Sequence, residues 1–140
     1  EDGAVGRMWC SCVNAGDMSS QHIRIVGSKA SLEWNDMHPD VVKYQVQGQP
    51  EQLLYRGMDY LDPAAQEDER LGALHYTGLI ESWSNLYKRF AVVMAAKDRG
   101  DEETVKSVVY PDLEHGIDGI KWINACAESA DKGAVWVDVK

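Results

Sequence analysis

The stretch His22-Ile23-Arg24-Ile25-Val26-Gly27-Ser28-Lys29-Ala30-Ser31-Leu32-Glu33-Trp34 decides the fold. Ile23 and Ile25 alternate with Arg24, and after a compact Gly27-Ser28-Lys29 turn Leu32 and Trp34 share one side of the next segment. Period-two alternation on both sides of a glycine turn reads as a β-hairpin, because successive strand side chains point to opposite faces. The pattern continues downstream. Residues 36–40, with Pro39, form a turn, and residues 41–46 set Val42, Tyr44 and Val46 against Lys43 and Gln45 in a third strand. Gly48-Gln49-Pro50 breaks that strand, and residues 52–55 form a shorter fourth. Upstream, residues 4–13 are rich in small and apolar side chains, show no helix start, and read as more β-structure.

From residue 56 to residue 75 the periodicity disappears in a stretch carrying Gly57, Pro63, Gly72 and the acidic run Glu67-Asp68-Glu69. Aperiodic connections of this length are unusual in a compact domain and often functional. This one could be ordered only in a larger assembly. A helix is expected over residues 77–99, where Leu79, Ile80, Trp83, Leu86, Tyr87, Phe90, Val93 and Met94 make one apolar stripe and Gly100 supplies the stop. A second helix starts at the N-cap Asp112 and runs to about residue 130, with Leu113, Ile117, Ile120, Ile123 and Ala127 on one side. Gly116 and Gly119 inside it suggest close approach of the helix backbone to a neighbouring element. Val135, Val137 and Val139 alternate in a last strand over residues 134–139. Strands, two long helices and a closing strand make an α+β fold with a mostly antiparallel sheet. Two helices cover one face of such a sheet. Trp9, Trp34, Tyr44 and Trp136 put large aromatics on the strands, so the other face is expected to be open for oligomerisation, although the same aromatics could lie under the helices.

The 140 residues suit one domain, with 44% apolar and 26% charged residues. A net charge of −9 argues against nucleic acid, whose phosphates need Lys and Arg. No apolar run is long enough to span a bilayer, and no basic segment followed by an apolar one opens the chain, so neither a membrane nor a retained signal peptide is expected. Three cysteines, Cys10, Cys12 and Cys126, are too few and too odd for a disulfide framework and fit a reducing cytoplasm. Cys10 and Cys12 would share a strand face, but zinc needs two further ligands and no second close Cys or His pair exists. Two small apolar residues filling one face are the simpler reading, and no metal is expected.

Chemistry is sparse. No G-x-G-x-x-G turn, P-loop, H-E-x-x-H or G-x-S-x-G element is present, and His22, His38 and His115 read as polar surface or strand-edge residues. His75 stands apart because it closes the aperiodic stretch just before a helix start. Unpaired N–H groups gather there, and an imidazole can hydrogen-bond a sugar hydroxyl in either tautomer. A solvated loop histidine is the alternative.

Several runs carry a resemblance to a known family. They are Gly6-Arg7-Met8-Trp9, then Val13-Asn14-Ala15-Gly16, then Ile23-Arg24-Ile25-Val26-Gly27-Ser28-Lys29-Ala30-Ser31-Leu32. Further on come His75-Tyr76-Thr77-Gly78-Leu79-Ile80-Glu81-Ser82-Trp83-Ser84-Asn85-Leu86-Tyr87, Tyr110-Pro111-Asp112 with Gly116, and Ser129-Ala130-Asp131-Lys132-Gly133 with Val137. Together they resemble the C-terminal half of the Gfo/Idh/MocA sugar and polyol oxidoreductases, over nearly the whole chain. The resemblance implies that residues 1–140 are a substrate-side and oligomerisation domain whose dinucleotide-binding partner domain, with its NAD or NADP, lies outside this chain. It places His75 beside the substrate cleft, with Tyr76 and Asn14 as companions, and gives no cofactor-binding or catalytic residue here. Tyr76 and Thr77 stand where the family's histidine segment has Pro and Glu, so the local pocket chemistry departs from the pattern.

The reading that follows is the substrate-binding and oligomerising part of an NAD(P)-dependent oxidoreductase acting on a sugar, polyol or related hydroxylated compound. Its partners would be that small molecule, the missing N-terminal domain and a second copy of itself. The alternative is a stand-alone α+β binding or dimerisation module without catalysis. A cysteine enzyme built on Cys10 or Cys12 is a remote third, since no base is recognisably paired with either thiol.

Overall fold

Four strands pair in sequence order as an antiparallel meander: β1 (His22–Val26), β2 (Ala30–Asn35), β3 (Val41–Val46) and β4 (Gln52–Tyr55). A computed structural model of the chain describes residues 3–16, 19–73 and 75–140. Directly opposed residues share a face, so the register sorts the side chains. One face carries the rows Ile23, Trp34, Val42, Leu54 and Ile25, Leu32, Tyr44. The other carries Arg24, Glu33, Lys43 and Leu53, with His22 at its edge. Glu33 there sits 3.1 Å from Lys43, 3.4 Å from His22 and 3.8 Å from Arg24. The Lys43 hydrogen bond leads the effects that hold the Glu33 carboxyl below its usual range.

Turns fix the register. The Gly27 N–H donates to the Ala30 carbonyl at 2.9 Å in the first, and the Trp34 indole donates to the Pro39 carbonyl at 3.0 Å across the second. The third turns at Gly48, in the left-handed region at φ +78°.

Past β4 the expected irregular stretch is tied down, Leu74 lying outside the described residues. It contains a one-turn helix, α1 (Pro63–Gln66), whose first turn is capped by Asp62 accepting from the Ala64 N–H at 2.9 Å. The Tyr55 N–H donates to the Tyr60 hydroxyl at 2.8 Å, and the Gln66 amide donates to the Leu61 carbonyl at 2.9 Å. Gly57 has φ +74°, and a Cβ there would lie 2.9 Å from Ala73 Cα and 3.0 Å from the Glu69 carboxylate. The two ends of the loop thus close against each other where only glycine fits.

Residues 1–77 and 78–140 form two separate units. In the second, α2 (Leu79–Arg99) opens with Glu81 accepting from the Gly78 N–H at 3.0 Å and ends at Gly100, which takes the left-handed cap at φ 72°. A short α3 (Glu102–Ser107) follows, capped by Asp101, and α4 (Leu113–Asp131) starts where Asp112 accepts from the His115 N–H at 3.1 Å. Val93, Ala96 and Ala125 are buried, and the Phe90 and Tyr110 rings meet edge to face at 5.4 Å.

The α+β class, the antiparallel sheet and the two long helices agree with the sequence reading, while α1 and α3 are additions to it. Two strands are corrected. Residues 4–13 and 134–139 adopt no regular structure. Alternation marks two faces, but a strand also needs a neighbour to satisfy its backbone groups. The tail instead folds onto the end of α4, where the Ser129 hydroxyl donates to the Val135 carbonyl at 2.6 Å and Ala134 takes φ 62°. Trp9 and Trp136 consequently stand on no strand, whereas Trp34 and Tyr44 do. Inside α4, a Cβ on Gly116 or Gly119 would meet no atom within 4 Å, so nothing within the helical unit accounts for either glycine.

Gly48 and Gly57 share the same backbone handedness but only Gly57 is crowded. Gly57→Ala should therefore lower stability by more than about 1 kcal/mol, and by more than Gly48→Ala, when denaturant midpoints are compared. Equal losses would refute the tight loop closure.

Candidate functional site

Arg56 follows β4 directly, and its side chain is 22% exposed. An arginine presents five N–H donors in a rigid planar fork. Here Nε donates to the Asp40 carboxylate, Nη1 to the Glu69 carboxylate and Nη2 to the backbone carbonyl of His75. The three acceptors come from the β2–β3 turn, the residues after α1, and the exit of the loop. Burial works to lower the Arg56 pKa, and the hydrogen bonds to Asp40 and Glu69 outweigh it, so the guanidinium is held charged. For Glu69, burial works to raise the pKa, while hydrogen bonds from Arg56 and the Leu71 N–H bring it below the ordinary value.

Around this fork lies a recess of about 250 Å³, walled by His38, Pro39, Tyr55, Arg56, His75 and Tyr76 among others. That is close to the lower end of small-molecule sites, about 300 Å³. His75 Nδ1 lies 3.1 Å from the Ala73 carbonyl. A carbonyl oxygen only accepts, so Nδ1 is the donor in this contact, which leaves Nε2 as the ring nitrogen that can meet an incoming hydroxyl. The Tyr76 hydroxyl can donate and accept. Imidazole, phenol and a fully engaged arginine suit a small uncharged compound with several hydroxyl groups.

The structure thus brings His75 and Tyr76 to one recess. Asn14 lies elsewhere, beside Cys10, Cys12 and Ser20 in a second recess of the same unit. All three cysteines are free and exposed, so the expected filling of a strand face by Cys10 and Cys12 is corrected along with the strand itself. Among the described residues no group of three or more His, Cys, Asp or Glu is placed to hold a metal. No helix among them is long and apolar enough to cross a membrane. Of the histidines read as surface groups, His22 pairs with Glu33 and His115 with Asp112, whereas His38 lines the recess. Sequence reasoning missed Arg56, Asp40 and His38 as site residues. The one signal is for Arg56, an arginine at the mouth of an aperiodic, acidic stretch.

Among the described residues the sheet is antiparallel throughout, and no glycine-rich turn of the dinucleotide type joins a strand to a helix.

Residues 1–139 match the model of the oxidoreductase family's C-terminal alpha/beta domain. The chain is 56% identical over all its 140 residues to an uncharacterised oxidoreductase, YfiI, of Bacillus subtilis, spanning 36% of that protein. An inositol dehydrogenase homologue from Azotobacter vinelandii, solved with NAD+, superposes with a TM-score of 0.87 at 53% identity, covering 91% of this chain and 33% of that one. The same homologue solved with NADH and myo-inositol gives 0.86 at 53% identity, over 91% of this chain and 34% of that one. The chain therefore spans about a third of the length of these relatives.

Because the folded-state pKa of Glu69 is depressed, its contribution to stability is present above the ordinary value of 4.5 and is lost as pH falls through the folded value. The difference in denaturant midpoint between the unsubstituted chain and Glu69→Gln should be largest near neutrality and shrink below about pH 4.5. A difference that stays constant down to about pH 3 would contradict the Arg56–Glu69 pairing.

Proposed function

This chain belongs to the Gfo/Idh/MocA oxidoreductase family, as its C-terminal alpha/beta domain, and from that premise we propose that it is the substrate-binding and oligomerising part of a two-domain NAD(P)-dependent oxidoreductase acting on a sugar or polyol. The carrying observation is the recess that holds His75 and Tyr76 together, in a chain 53% identical to a homologue solved with NADH and myo-inositol. The imidazole meets one substrate hydroxyl through Nε2, and Tyr76 addresses another. Asn14, in its separate recess, rests on the resemblance alone.

The nicotinamide group, bound by the remaining two-thirds of the protein, would accept the hydride. This chain's residues bind and orient the polyol and take no part in that transfer. The oligomerisation half of the reading rests on large apolar side chains that stay exposed on the sheet, Ile23, Ile25 and Leu32 among them. The free cysteines agree with a cytoplasmic setting.

The stand-alone module remains the competing reading, and the native mass decides between them. A gene product more than twice this chain's 15.6 kDa supports the oxidoreductase, and one near 15.6 kDa supports the module. In the full-length protein, assayed with NAD+ and myo-inositol, His75→Ala removes one hydrogen bond to substrate and should raise the polyol KM about tenfold. The KM for NAD+ should stay unchanged. A polyol KM that does not move would sink the assignment of His75.

A further inference from the structure

We infer that Arg56 is a positioning residue for the polyol recess, acting through His75 rather than on the substrate. This rests on the function proposed above and adds to it the group that sets where the histidine stands. The contact that matters is made to the backbone: Nη2 donates to the carbonyl of His75, while among the described residues the imidazole is tied by Nδ1 to Ala73. The remaining edges of the same guanidinium are fixed on Asp40 and Glu69, so the fork joins the end of the sheet, the loop and the histidine in one rigid plane. The neighbouring Gly57 shows how tightly the loop closes at this point, since a Cβ there would collide with Ala73.

A second consequence concerns charge. Arg56 is the one Lys or Arg among the described residues lining the recess, and two carboxylates already engage it. A phosphorylated or acidic sugar would find no free cation there and a surplus of negative charge. An uncharged polyol meets no such penalty, so the arginine is structural to the site and does not serve as an anion anchor.

Lysine at this position keeps the charge but lacks the planar fork and cannot satisfy three acceptors in fixed directions. In the full-length protein, with NAD+ and myo-inositol, Arg56→Lys should raise the polyol KM about tenfold, with kcat and the KM for NAD+ within about twofold of the parent. In a His75→Ala background the same change should add less than about twofold, because it acts through the missing side chain. Three results would overturn the inference: an unchanged polyol KM in Arg56→Lys, a parallel loss in kcat and both KM values, or a full effect of Arg56→Lys without His75. Should His75→Ala itself leave the polyol KM unchanged, the site assignment falls, and the inference about Arg56 falls with it. Should Arg56→Lys fail to fold, Glu69→Gln cuts one arm of the fork instead. A rise of about threefold in the polyol KM alone then supports the positioning role, and an unmoved KM overturns it.

Discussion

An arginine can hold three chain segments at once because its fork carries five donors and its charge persists when partly desolvated. Arg56 does so here, and the local architecture hangs on it. Without the guanidinium, Asp40 and Glu69 would be two half-buried carboxylates lacking their counter-charge, and the carbonyl of His75 would lose its donor. Removing one member of such a set costs more than the set contributes, since the remaining charges stay buried and unpaired. That asymmetry makes the loop over residues 56–75 a closed structure instead of a tether. It also explains why the two ends of a stretch with no periodicity, Arg56 and His75, meet at one recess.

The sheet obeys a different constraint. Its register collects Ile23, Leu32, Trp34, Val42 and Leu54 on one face and gathers Arg24, Lys43 and His22 around Glu33 on the other. A one-residue slip in any pairing would exchange those faces, so the hydrophobic pattern and the ion pairs enforce the same alignment. Glu33 meets Arg24 and His22 from β1 and Lys43 from β3, which ties β2 to the strands on both sides. Ion pairs this exposed contribute little each, and their role is in specifying register more than in strength. The apolar face is the part that demands cover, as antiparallel sheets bury one side and leave the other in water.

How far the sequence reveals this depends on the range of the interaction. β3 has the bounds that alternation indicates, β4 follows the Gly48-Gln49-Pro50 break as expected, and α2 and α4 end and begin where Gly100 and Asp112 direct. Those signals act within a few residues. Residues 4–13, rich in small and apolar side chains, and residues 134–139, which alternate, form no strand, because the missing ingredient is a paired neighbour and no local pattern supplies one. The site shows the same division. His75 and Tyr76 are legible through family resemblance, while Arg56 reaches partners 16, 13 and 19 residues away, and no spacing rule links such positions.

That division bears on how the chemistry is shared within the protein. In the role proposed for His75, a residue that binds a hydroxyl must be held in one orientation and one place, and two backbone carbonyls bear on both here. The Ala73 carbonyl holds Nδ1 and orients the ring, and the His75 carbonyl accepts from Arg56 and holds the backbone beneath it. Neither device requires a side chain that changes protonation during turnover. A domain built this way suits recognition, since its charges are already paired before substrate arrives and need not reorganise when it does. Hydride transfer has the opposite requirement, an electron acceptor and a proton acceptor that change state in each cycle. In the function proposed above, placing the two tasks on different domains would leave the recess free to select an uncharged polyol by shape and hydrogen bonding alone.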